Sequence, residues 1–217
     1  MEGLMPNRTL DDMYEKMPWD RIDSVVFDVG GVLIDLAPME VFRQLLPGQE
    51  ALYKELLYRT ERSPYWIMLD DGALSQEEAV EAMTGRNEAL RPLIRAFMAH
   101  WPEYTTPVAE GVEAARTCKA HGKKLYILSN FPDEQFAHVE RLYDFFQLFD
   151  GKVVSARVRM LKPNPAIYRL LIDRYQLDPE RTVFIDDMHA NIEAALRAGW
   201  QGFCMNRPGR LRAFLQE

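Results

Sequence analysis

A chain of 217 residues, 47% hydrophobic and 27% charged, can build one sizeable core with an insert and is too apolar to remain disordered. A formal charge of -7 argues against a general affinity for nucleic acid or for an anionic membrane surface, although it leaves room for a local basic pocket. Cys118 and Cys204 are the only two cysteines and show no C-x-x-C or Cys/His spacing, so buried free thiols are expected rather than a disulfide framework or a zinc site.

In chain order, Leu10, Met13, Tyr14 and Met17 fall at helical spacing within residues 1–21 and predict a short helix. No charged start leads into an apolar leader, and no apolar run is long enough to cross a bilayer, so a cytoplasmic location is expected. Residues 22–27 form an apolar, β-branched run that reads as a strand covered on both faces, ending at Asp28 and the pair Gly30-Gly31. From 36 to 105 apolar residues recur at helical spacing, interrupted by Pro47-Gly48, Ser63-Pro64, Asp70-Asp71-Gly72 and Thr84-Gly85. Several short helices are predicted there, and Ser75-Gln76-Glu77-Glu78 has the form of a capping box. Tyr65, Trp66 and Trp101 in this stretch suit a core better than a pocket wall.

A helix over 107–120 follows, then a strand at 124–129, a helix over 131–143 and a weak strand at 152–155. The pattern continues with a helix over 166–175, a strand at 182–186, a helix over 191–198 stopped by Gly199, and a last strand at 201–205. Strands alternating with helices predict an α/β fold with a parallel, doubly wound sheet. The core is expected from residues 1–35 and 106–217, with 36–105 as a helical insert between the first and second strands.

Polar groups stand at the ends of three of these strands. Asp28 ends the first, Ser129-Asn130 the second, and Asp186-Asp187 the strand at 182–186, while Lys162 precedes the helix over 166–175. Ligands of open parallel sheets gather beyond the carboxyl ends of the strands, which places these residues for chemistry. Each also has a structural reading: Asp28 and Ser129 as turn formers, Lys162 as a solvated cation, and Asp186-Asp187 as acids at a helix start. His100, His121, His138 and His189 show no spacing of a ligand cluster, and His189, the nearest to the site, reads as a surface residue.

In that order, nucleophilic carboxylate, hydroxyl, lysine and acidic pair, the chain resembles the haloacid dehalogenase-like hydrolases over nearly its whole length after the first strand. The resemblance implies a Rossmann-like parallel sheet of about five strands, with the Asp28 strand central between the Ser129 and Asp186 strands. It implies that the insert is a cap shaping substrate choice. It further implies that Asp28 attacks a phosphoryl group to form an acyl phosphate. Ser129, Asn130 and Lys162 would hold the phosphate. Mg2+ would be bound by Asp28, the Gly30 carbonyl, Asp186 and Asp187. The substrate would be a small phosphorylated metabolite such as a sugar phosphate. Asn191, one helical turn past the acidic pair, either orients one of those carboxylates or is a polar residue at a helix start.

The pattern breaks at one position. Phosphatases of this family usually carry a second aspartate two residues after the nucleophile, which protonates the leaving group and activates water, and this chain has Gly30 there. Some sugar-phosphate phosphatases of the family share that glycine. Asp35 is the candidate substitute, with a structural hinge carboxylate as its other reading. Two further functions fit the residues: a haloacid dehalogenase, which also lacks the second aspartate, and a phosphate-binding or interaction protein with little turnover.

Overall fold

The computed structural model describes residues 19–205 together with 209 and 211. The helix expected within residues 1–21 lies outside that range, except that Trp19–Arg21 forms a 3₁₀ turn. The core strands are β1 (Ser24–Phe27), β4 (Lys124–Ser129), β5 (Gly151–Val154), β6 (Thr182–Asp186) and β7 (Gln201–Cys204). They form one parallel sheet in the order β5-β4-β1-β6-β7, with β1 at the centre. Four helices follow core strands or lead into them: α6 (Ala109–Ala120), α7 (Asp133–Leu142), α9 (Pro165–Tyr175) and α10 (His189–Arg197).

All four residues of β1 are buried, which is why its sequence shows a continuous apolar run instead of alternation. Alternate side chains serve different layers. Val25 and Phe27 join Ala114, Cys118, Phe136 and Val139 of α6 and α7, whereas Val26 joins Ile167, Leu171, Ile192 and Ala195 of α9 and α10. The sheet is therefore sandwiched between two helical layers. Cys118 and Cys204 are buried and form no disulfide, and burial pushes the Cys118 thiol up to about 12. None of the helices among the described residues is long and apolar enough to cross a membrane.

Between β1 and β4 the chain forms β2 (Ile34–Asp35), then α1 (Pro38–Leu45), α2 (Glu50–Arg59), α3 (Pro64–Asp70), α4 (Gln76–Thr84), α5 (Arg91–His100) and β3 (Thr106–Pro107). The capping box at the start of α4 is present. The Ser75 N–H donates to Glu78 Oε2 at 2.8 Å and the Glu78 N–H to Ser75 Oγ at 3.3 Å. Aromatic side chains fasten these helices to the α6/α7 side of the sheet: Trp66 meets Trp101, and Trp101 meets Phe131, each at 5.6 Å between centroids. Trp101 is buried in the main hydrophobic cluster, with Tyr65 and Trp66 packed against it, as a core role requires.

Three boundaries differ from expectation for local reasons. Thr106 and Pro107 do not open a helix; they pair antiparallel with Asp35 and Ile34 in a two-stranded ribbon, and α6 begins at Ala109. Proline is tolerated on such an edge because it is not asked to donate inside a sheet. The helix expected from Phe131 starts at Asp133, because Pro132 disfavours helical backbone at the residue before it, and the Phe131 N–H donates to Ser155 Oγ at 2.9 Å. Ser155, read as the end of a strand, begins α8 (Ser155–Val158).

Ser155 ties the insert to the core. Its hydroxyl accepts from Phe131 and donates to the Asp70 carbonyl at the end of α3, and it is fully buried. Truncating it leaves a buried donor and acceptor unpaired, so Ser155→Ala is expected to lower stability by about 1–3 kcal/mol. Urea denaturation of the two proteins checks this.

Candidate active site

β1, β4 and β6 end side by side, and their terminal residues meet the loop before α9. The Asp28 N–H donates to the Ile185 carbonyl at 2.9 Å, extending the β1–β6 pairing by one residue and fixing the direction of the Asp28 carboxylate. Asp28 Oδ1 accepts from the Val29 N–H and from Ser129 Oγ, both at 2.7 Å. Asp28 Oδ2 lies 2.8 Å from Lys162 Nζ, and Lys162 Nζ lies 2.7 Å from Asp186 Oδ2. All four of Asp28, Ser129, Lys162 and Asp186 are buried.

Further side chains hold these groups in position. Asn130 clasps the main chain of Lys162: its Oδ1 accepts from the Lys162 N–H at 2.8 Å, and its Nδ2 donates to the Lys162 carbonyl at 3.0 Å. Asn191 Nδ2 donates to both oxygens of Asp186 at 3.0 Å, and the Met188 N–H donates to Asp186 Oδ1 at 2.7 Å. Tyr168 then donates to the Asn191 carbonyl at 3.0 Å. Asp187 leans over the first loop. A Cβ on Gly31, whose φ is +71°, would stand 2.6 Å from Asp187 Oδ2, so only glycine allows this approach.

The electrostatics follow from burial. Loss of water pushes the Asp28 carboxyl up; Lys162 pulls it back and the charge of Asp186 adds to the rise. Burial disfavours the Lys162 ammonium, but Asp186 and Asp28 together outweigh it, so the lysine is held more firmly charged than usual. Asp187 is raised by burial and by Asp186. Carboxylate oxygens of Asp28, Asp186 and Asp187 lie within 4.8 Å of one another. Three carboxyl groups this close, only two of them paired with the Lys162 ammonium, gather hard oxygen donors, and that donor set suits Mg2+.

Of the residues singled out in the sequence, Asp28, Ser129, Asn130, Lys162, Asp186, Asp187 and Asn191 come together. Gly30 lies in the loop beyond Asp28, bridged to Ile34. Asp35 is not brought in. It is exposed, and its Oδ1 accepts from the Ala37 N–H at 3.2 Å, which is the hinge-carboxylate role. His189 lies 3.3 Å from Glu193 on the outer side of α10. Asp70 was missed: burial and the charge of Asp28 raise its carboxyl to about 8, with Lys162 opposing. The Asp70-Asp71-Gly72 stretch reads as a turn, and nothing local in it signals that its first acid lies within reach of the charge of Asp28.

Lys162→Met removes the cation from two buried carboxylates while keeping the side-chain length. It is expected to cost about 3–5 kcal/mol of stability, as breaking a buried ion pair from one side does. Chemical denaturation in the absence of divalent cations checks this.

Residues 22–199 match the haloacid dehalogenase-like hydrolase family. A phosphorylated carbohydrates phosphatase from Thermotoga maritima is 28% identical over 187 residues, spanning 82% of each chain. An (S)-2-haloacid dehalogenase 4A from Burkholderia cepacia is 24% identical over 198 residues, covering 88% of this chain and 85% of the relative. Among solved structures, a family enzyme from Bacteroides thetaiotaomicron in complex with magnesium and inorganic phosphate superposes with a TM-score of 0.65 at 21% identity, covering 84% of this chain and 93% of its own. With the five-stranded sheet and these relatives in agreement, the chain belongs to the haloacid dehalogenase-like hydrolases.

Proposed function

We propose that the protein is a Mg2+-dependent phosphatase that hydrolyses a small phosphorylated metabolite, a sugar phosphate among the candidates, through a phosphoryl group carried on Asp28. The observation that carries this reading is the close grouping of the Asp28, Asp186 and Asp187 carboxylates, of which Lys162 pairs with the first two, an arrangement that a divalent cation and a phosphate together would complete. The phosphatase relative from Thermotoga maritima and the magnesium and phosphate in the Bacteroides thetaiotaomicron enzyme support it.

In this reading Asp28 is the nucleophile. The Val29 N–H and the Ser129 hydroxyl hold its Oδ1, leaving the carboxylate fixed in one orientation toward the phosphorus. Lys162 serves as a point charge for Asp28 and for the phosphoryl oxygens, with Ser129 and the amide of Asn130 as further donors. Asn130 and Asn191 act as positioning residues, the first for Lys162 and the second for Asp186. Asp28, Asp186, Asp187 and the Gly30 carbonyl would hold Mg2+, which when bound screens the negative charge between nucleophile and phosphate. Residues 36–105 would form the cap over this site, with 1–35 and 106–217 as the core. The fold and the acidic ligand set need no nucleic acid and no membrane as partner.

Hydrolysis of a panel of sugar phosphates and nucleotides is expected to depend on Mg2+ and to be abolished by EDTA. Asp28→Asn is expected to lose at least about 10³-fold in kcat/KM, since it removes the attacking group. The dehalogenase relative and the glycine at position 30 favour a second reading, in which Asp28 displaces halide from a 2-haloacid. Halide release that persists in EDTA, with no phosphate ester turned over, would establish that reading in place of the first.

A further inference from the structure

Splitting a phosphomonoester near neutral pH requires a proton for the departing oxygen, and Gly30 has no side chain to give one. A Cβ built on Gly30 would meet the Leu36 side chain, whose Cδ1 lies 3.5 Å away, so an apolar residue borders the place where an acid usually stands. Asp35 projects outward from β2.

Asp70 is placed differently. Its Oδ1 is buried and has no hydrogen-bond partner among the described residues. Its main chain is pinned against the loop beyond β4, because Ser155 Oγ donates to the Asp70 carbonyl and accepts from Phe131, two residues after Ser129. Two residues on, Gly72 is pressed onto α8. A Cβ there would stand 2.4 Å from the Ala156 carbonyl oxygen, and Arg159 donates to the Gly72 carbonyl. A buried carboxyl oxygen without a partner, on a main chain held this firmly, is costly for a fold, and such costs concentrate at functional sites.

We infer that Asp70 is the acid that protonates the leaving oxygen and then the base that activates water, the part that position 30 cannot play in this chain. The inference rests on the phosphatase reading. In the first step the Asp28 carboxylate bonds to phosphorus, the bond from phosphorus to the ester oxygen breaks, and the Asp70 carboxyl proton passes to that oxygen, releasing an alcohol. In the second, water oxygen bonds to phosphorus, the bond to Asp28 breaks, and the water proton passes to Asp70. Inorganic phosphate leaves and both carboxyls return to their starting states.

The charged groups acting on Asp70 are Asp28 and Lys162; Arg159, from the helix packed beside it, is engaged with the Gly72 carbonyl. Burial of this carboxyl favours its protonated form, the form a proton donor needs. Proton donation is lost as this carboxyl ionises on the alkaline side.

The test compares wild type, Asp70→Asn and Asp70→Glu, each with Mg2+, on alkyl phosphomonoesters and on p-nitrophenyl phosphate, whose leaving group needs no proton. For Asp70→Asn, alkyl ester turnover is expected to fall about 10²–10⁴-fold. On p-nitrophenyl phosphate the same variant is expected to release a burst near one equivalent of p-nitrophenol, followed by slow turnover. Acid-quenched protein should then carry a phosphoryl adduct by intact-mass spectrometry, absent from Asp28→Asn, and Asp70→Glu should recover part of the alkyl activity. Equal losses on both substrate classes without an adduct, or full alkyl turnover by Asp70→Asn, would overturn the inference while leaving the phosphatase reading intact. If Asp70→Asn does not fold, the wild type serves. Its alkyl turnover should fall on the alkaline side while the burst rate with p-nitrophenyl phosphate does not, and coincident limbs would overturn the inference. A wild type inert toward every phosphate ester overturns the phosphatase reading and this inference with it.

Discussion

A single buried ammonium holds the working end of the sheet together. Lys162 Nζ lies 2.8 Å from Asp28 and 2.7 Å from Asp186, so one side chain from the loop before α9 joins the ends of β1 and β6. Three charged groups withdrawn from water would be costly if any one stood alone. Each is therefore satisfied by neutral donors or a main-chain clasp: Ser129 and the Val29 N–H on Asp28, Asn191 and the Met188 N–H on Asp186, and Asn130 on the main chain of Lys162. The same groups that make the charges tolerable also fix their directions, so stability and geometry cannot be varied separately here.

The sheet makes that convergence possible. Because β4, β1 and β6 are adjacent and parallel, their carboxyl ends emerge at one end of the sheet: Phe27 pairs with Ile127 and Ile185, so Asp28 and Asp186 follow side by side and Ser129 follows one residue later on β4. Lys162 reaches across from α9's loop and Asn191 from α10, both on the layer opposite the insert.

The centre of the core was legible because β1 and β6 are wholly buried and β4 is buried after its first residue. A run such as Val25-Val26-Phe27 can be little else when a carboxylate and two glycines follow it, and the same holds for Leu125 to Leu128 before Ser129 and Val183 to Ile185 before Asp186. The role of Asn130 was less so. An amide just after Ser129 suggests a ligand donor, whereas its side chain is spent on the main chain of Lys162. Asp35 shows the limit of proximity in sequence, since strand alternation buries Ile34 and turns Asp35 outward. Asp70 shows the opposite limit. Its main chain is placed by contacts with residues some 60 to 85 positions downstream, Phe131 through Ser155 and Ala156 against Gly72, and no window of sequence contains both partners.

The small ribbon formed by Ile34–Asp35 and Thr106–Pro107 has a topological effect beyond its size. The chain departs from the sheet and returns to it through two touching residues, and the Val108 N–H, immediately after the ribbon, donates to the Leu33 carbonyl at 2.9 Å. Everything between them is thereby a closed loop with a fixed neck. The neck sets where this segment leaves and rejoins the chain between β1 and β4, while its shared hydrophobic core with α6 and α7 sets how it lies on the sheet.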